Sequence, residues 1–180
     1  MPMIDLTLPE GALTEAAIAV LVEELTTALI EGEGAPDNEY VRAITLAFVD
    51  ERPASAIKVG GRDAEKPVYR VVFTVPEGAP GVHGPLMQAN RERLVRRVTK
   101  LVLDAEGTPF TPAEAQRVWV QMREIRDGHW GGFGELATME DIATYAGASR
   151  YRELTERGDR MRRAFEASLE TPPAPPALRA

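Results

Sequence analysis

Fourteen prolines stand in the chain, and Pro2 can do what the others cannot. Within a chain the proline nitrogen is an amide with no basic lone pair, whereas at a free N-terminus it is a secondary amine. Pro2 becomes that amine once Met1 is removed, and methionine aminopeptidases favour a small second residue. A neutral amine can take a proton from the carbon next to a carbonyl and return it elsewhere, which is keto–enol or double-bond tautomerisation. Neutrality near pH 7 requires apolar walls and nearby cations, since both disfavour the protonated amine. Trp130 and Phe133 could supply the walls. Arginine would supply the charge, and would also hold a substrate carboxylate or a developing enolate.

Other chemistries are poorly provided for. There is no cysteine, hence no disulfide framework, thiolate nucleophile or cysteine-based metal site. His83 and His129 are far apart and form no helical ligand pair, so neither a metal nor another cofactor is expected. The net charge of −7 argues against a nucleic-acid footprint. The N-terminus lacks a signal segment and no apolar run approaches membrane-spanning length, so a soluble, cytoplasmic protein is expected.

Elements that could position Pro2 follow directly. Ile4, Leu6 and Leu8 alternate as in a strand with one buried face. From Thr14, a plausible N-cap, a helix carries Ile18, Leu21, Val22, Leu25 and Leu29 on one stripe until Gly32 and Gly34 end it. A second strand is expected from about Val41 to Val49. The same order then recurs. Leu8-Pro9-Glu10-Gly11-Ala12 returns as Val75-Pro76-Glu77-Gly78-Ala79, 67 residues on. Glu33-Gly34-Ala35-Pro36 returns as Glu106-Gly107-Thr108-Pro109, 73 residues on, after an insertion between Pro80 and Pro85. The second helix is expected from about Leu86 to Ala105. A last helical segment begins at Thr138, in a Thr-x-x-Asp pattern, and continues through Tyr151, Met161 and Leu169. Expected boundaries are a body over 1–137 (unit one 2–61, unit two 67–137), a helical extension over 138–169 and a mobile proline-rich tail over 170–180.

The run from Val118 through Glu124 and the turn into Trp130-Gly131-Gly132-Phe133-Gly134 resembles the C-terminal strand and hairpin of the 4-oxalocrotonate tautomerase family. Both repeat starts, Ile4 to Ala12 and Val71 to Ala79, are similar to that family's opening strand, and Met-Pro is its hallmark. The resemblance covers about residues 2–138. It implies an α+β tautomerase fold of the macrophage-migration-inhibitory-factor type: two tandem β-α-β units forming a four-stranded mixed sheet with two helices on one face, here with a C-terminal helix added. It also implies a homotrimer and a cofactor-independent tautomerase of a small 2-oxo or 2-hydroxy-dienoate carboxylic acid, with Pro2 as general base. Decarboxylation or hydration of a related acid is the near alternative, and a non-catalytic oligomeric binding protein the distant one. The family's arginine positions fall on Ala12 and Ala79, and on Leu46 and Trp119. The substrate-binding candidates that remain are Arg70 and Arg123, equally readable as surface arginines, Arg42, more readily read as a surface arginine, and Trp130, equally readable as core. Tyr69, the second-unit counterpart of Pro2, reads as packing rather than as an acid.

Overall fold

In a computed structural model that describes residues 2–77, 88–147 and 156–170, the alternating N-terminal segment forms β1 (Met3–Pro9) with Ile4, Leu6 and Leu8 fully buried. Helix α1 (Glu15–Glu33) starts where the Thr14 hydroxyl accepts the Ala17 amide at 3.1 Å, and ends on Gly34 at φ 65°. That left-handed conformation favours glycine. The chain then departs from the expected strand at Val41. The Asn38 side chain caps a short helix, α2 (Glu39–Ala43), by accepting the Val41 amide at 3.0 Å, and β2 begins only at Leu46 (Leu46–Arg52). A side-chain cap and an ion-paired Arg42 outweigh the local strand propensity there.

A short hairpin of β3 (Lys58–Val59) and β4 (Arg62–Asp63) leads into unit two: β5 (Tyr69–Pro76), α3 (Gln88–Glu106), α4 (Pro112–Ala115) and β6 (Val118–Ile125). The four long strands form one mixed sheet in the order β2-β1-β5-β6. Parallel pairs β1–β2 and β5–β6 flank an antiparallel β1–β5 centre. Helices α1 and α3 cover one face, where Leu21, Leu25 and Leu29 meet Leu94, Val98 and Val102 over the inward residues of β1 and β5. The two units are related residue by residue: Met3 pairs with Leu46 as Arg70 pairs with Trp119.

The face without helices exposes Leu46 (45%), Phe48 (53%) and Trp119 (64%), large apolar groups that an isolated sheet would leave in water. After β6, the hairpin of β7 (Trp130–Gly132) and β8 (Glu135–Ala137) leads into α5 (Met139–Ala146), which opens with the Thr138–Asp141 capping box anticipated from the sequence. The single terminal helix is, however, two. Gly147 at φ 69° ends α5, and α6 (Glu156–Glu170) packs against it. Among the described residues no helix is long and apolar enough to cross a membrane. The Pro80 to Pro85 insertion with His83, Tyr151, and residues 171–180 of the tail lie outside the described residues.

Candidate functional site

Pro2 is buried, and its carbonyl accepts the Leu46 amide at 3.2 Å, which seats the chain start at the head of the central strand. Met3 beside it joins an apolar cluster built largely by the hairpin, α5 and α6. Trp130, Ala137, Ile142, Tyr145 and Met161 pack there with Ile44, flanked by Tyr40, Ile125 and Phe165. The hairpin and both terminal helices thus wall the Pro2 end of the sheet. Phe133, half exposed at the hairpin tip, holds φ 56°, and its ring lies 5.6 Å from that of Tyr145. A non-glycine residue in that conformation stores strain, a pattern concentrated at functional sites.

Two buried hydrogen-bonding atoms in this cluster have no partner among the described residues: Trp130 Nε1 and Tyr145 Oη. Such atoms cost free energy when left unmatched, so a pair of them invites a polar group from outside the protein. Burial, with a contribution from Tyr40 and against the pull of Arg162, pushes the Tyr145 hydroxyl up to about 12. It is therefore a neutral donor across the physiological range. Trp130 is buried at 6% exposure, in the apolar cluster against which Met3 packs, so its core role is seen directly.

The three candidate arginines have separate fates. Arg123 is exposed, on the helix-free face, and pairs in register with Thr74, which itself stands opposite Met3. Two strand spacings, about 10 Å, separate it from β1. No ion pair engages it among the described residues. Arg70 lies at the other end of the strand, opposite Thr7, whose Oγ1 it reaches at 3.3 Å. Five residues of strand, about 16 Å, put it out of reach of Pro2 within one protomer. Arg42 is committed to structure: it holds Asp37 (2.6 and 3.0 Å), Glu23 (2.6 Å) and Thr27 (3.1 Å), tying α2 to α1.

Glu33 escaped the sequence reading as a chemical group. It lies in the last turn of α1, at the Pro2 end of the sheet, and burial pushes its carboxyl up to about 7 while the charge of the chain's amino terminus pulls it down. Its repeat mate Glu106 is held very differently. Glu106 accepts from Tyr69 Oη at 2.9 Å and from Arg117 at 3.0 and 2.5 Å. Burial opposes ionisation of Glu106, but the bonds from Arg117, Thr108 and Tyr69 overcome it and hold the group below the ordinary carboxylate range. The clue in the sequence was a break in the repeat, since Ile44 stands where Arg117 does 73 residues later. His129 is exposed in its turn, and among the described residues no group of acidic residues and histidines could hold a metal ion.

No protein-family model matches the sequence, and no curated protein matches it. Solved structures do match in fold. N1, a member of the cis-3-chloroacrylic acid dehalogenase family, superposes with a TM-score of 0.64 at 16% identity, over 92% of this chain and 99% of its own. A fused 4-OT solved as a symmetric trimer gives 0.59 at 20% identity, over 76% and 96%. A protein solved after inactivation by 2-oxo-3-pentynoate gives 0.59 at 19% identity, over 75% and 94%. The chain therefore has the fold of the tautomerase superfamily, with two β-α-β units fused in one polypeptide.

Proposed function

We propose that the chain is a cofactor-independent enzyme of the tautomerase superfamily that isomerises a small 2-oxo or 2-hydroxy-dienoate carboxylic acid in the cytoplasm, using the mature Pro2 amine as general base. The reading is carried by one observation: a buried Pro2 at the head of β1, beside an apolar cluster holding two donors that are unpartnered among the described residues. The amine removes a proton from the carbon next to the substrate carbonyl, and the electron pair passes to the carbonyl oxygen. The Trp130 N–H and Tyr145 O–H stabilise the charge that develops there, in the absence of the family's usual arginines. The amine then returns its proton to another carbon, which completes the isomerisation.

Arg123 takes the substrate carboxylate. Arg70 contributes only across an interface, in a homotrimer that buries the helix-free face with Phe48 and Trp119, as the trimeric fused 4-OT would suggest. The two units, 2–61 and 67–137, are the catalytic body, and among the described residues of the 138–169 extension α5 and α6 close its Pro2 end. A second reading, decarboxylation or hydration of a related acid, is favoured by the match to N1. That match spans 92% of this chain and so takes in terminal helices that the shorter fused 4-OT alignment does not fully cover.

The test is chemical. Mass spectrometry of the purified protein should show Met1 removed. Phenylenolpyruvate should be ketonised, with a loss of about 10²-fold or more in Pro2→Ala. 2-Oxo-3-pentynoate should label Pro2. An unchanged rate in Pro2→Ala refutes the mechanism, and retained Met1 favours a non-catalytic binding protein.

A further inference from the structure

The two halves of the sheet are built on one plan, and the plan is broken at one cluster. Both long helices end alike. The Gly34 amide donates to Glu31 O at 3.0 Å and that of Ala35 to Ile30 O at 3.1 Å, as the Gly107 amide donates to Asp104 O at 3.0 Å and that of Thr108 to Leu103 O at 2.8 Å. Glu33 and Glu106 therefore occupy the same place on their helices. The strand heads match too, since the registers of β1 on β2 and of β5 on β6 coincide at these repeat offsets, which makes Tyr69 the counterpart of Pro2. In unit two, the residue at the strand head hydrogen-bonds the glutamate at the helix end.

Unit one keeps the glutamate and discards each of its side-chain donors. Arg117, Thr108 and Tyr69 give way to Ile44, Ala35 and Pro2. Ile44 is buried and apolar, Ala35 has nothing to donate, and an internal Pro2 has no N–H. Removal of Met1 changes that at a single atom, because the Pro2 nitrogen then becomes both donor and acceptor. We propose that Glu33 is the proton partner of the mature Pro2 amine, the two groups sharing protons across the place where Tyr69 and Glu106 share a hydrogen bond. This rests on the reading of Pro2 as the base, and it makes Glu33 a positioning and proton-holding residue.

Among the described residues, several charges on the neighbouring helices are paired. Glu31 pairs with Arg97 of α3, and Arg93 donates to Asn90. On α2, Asp37 and Arg42 pair with each other, while Tyr40 donates to Glu166 at 2.7 Å, beside Arg162. Burial already favours the neutral form of Glu33. A protonated Glu33 leaves the amine free to accept a proton, whereas an ionised Glu33 holds the ammonium in place. When the amine beside a protonated Glu33 takes a proton from carbon, it becomes an ammonium that the Glu33 carbonyl oxygen holds in place. The ammonium then gives a proton back to another carbon, so the pair returns to its starting charge with nothing added or lost.

The experiment is a titration of the mature protein labelled with ¹⁵N-proline and ¹³C-glutamate. In the wild type, Glu33 Cδ and Pro2 N should titrate together in two coupled steps. In Glu33→Gln the apparent pKa of the amine should fall by about one unit or more, because an opposite charge within hydrogen-bond reach has been removed. The ascending limb of the rate profile should move to lower pH with it, whereas Glu15→Gln at the far end of α1 should move neither. Glu33 titrating alone in the ordinary carboxylate range of the wild type overturns the inference without any variant, as does an unmoved amine in a folded Glu33→Gln. If the coupled titration is seen and no tautomerase activity is found, the proton pair stands and the functional reading falls.

Discussion

Arg117 grips Glu106 with both terminal nitrogens, at 3.0 and 2.5 Å, while a third contact from the same guanidinium reaches Pro67 O at 2.6 Å. Both side chains are nearly buried, at 9% and 12% exposure. Removing one member of such a pair strands the other charge, so Arg117→Ala should cost about 3–5 kcal/mol. Urea unfolding at pH 7 measures it, and a loss below about 1 kcal/mol would count against the pair. The pH dependence has a definite sign. A depressed folded carboxyl contributes stability that is full above its unfolded value, near 4.5, and lost as pH falls through the lower folded value. Acid unfolding of Arg117→Ala should therefore be less steep in that window than that of the wild type.

Gly158 brings α6 against α5 so closely that a Cβ there would stand 2.4 Å from Thr144 Cβ and 2.6 Å from Asp141 O. One of those atoms is backbone and cannot swing aside. Gly158→Ala should destabilise by about 1–3 kcal/mol through overpacking. The effect should be local first, with protease cleavage in the terminal helices rising before the sheet unfolds. A variant with wild-type melting and wild-type proteolysis would mean that the two helices have room to separate.

The exposed Phe48 and Trp119 make the assembly testable without reference to activity. Replacing both by Asp should leave the fold intact by circular dichroism, because neither belongs to the core. It should convert a trimer to monomer by light scattering. A monomeric wild type at micromolar concentration would refute the trimer directly.

The fold was legible because its strongest signals are local. Ile4, Leu6 and Leu8 alternate, Thr14 and Gly34 mark the ends of α1, and the Thr138–Asp141 box announces α5. Where tertiary contacts decided the outcome, local pattern misled. Val41 has strand propensity, yet the cap from Asn38 and the Arg42 bridge to Glu23 and Asp37 make a helix there. Gly147 sits mid-pattern in what read as one helix and ends it. At the candidate site the structure buries Pro2 and gathers Trp130 into an apolar cluster, but the polar groups there were not visible in the sequence. Arg70 and Arg123 look alike in sequence and stand toward opposite ends of the sheet, a distinction set by their positions along two parallel strands. Tyr145 and Glu33 carry no motif, and each becomes notable only through the partners that burial denies it or withholds from it.

The broken repeat has a consequence for how such a molecule can change. The two units have matching sheet ends, and in this chain the first stands next to the amino terminus. The second end is closed by a tyrosine, a glutamate and an arginine. Labour is divided between an anchor and a workshop. Substitutions around Tyr69 should be judged by melting curves, and those around Pro2 by turnover, with little trade between the two.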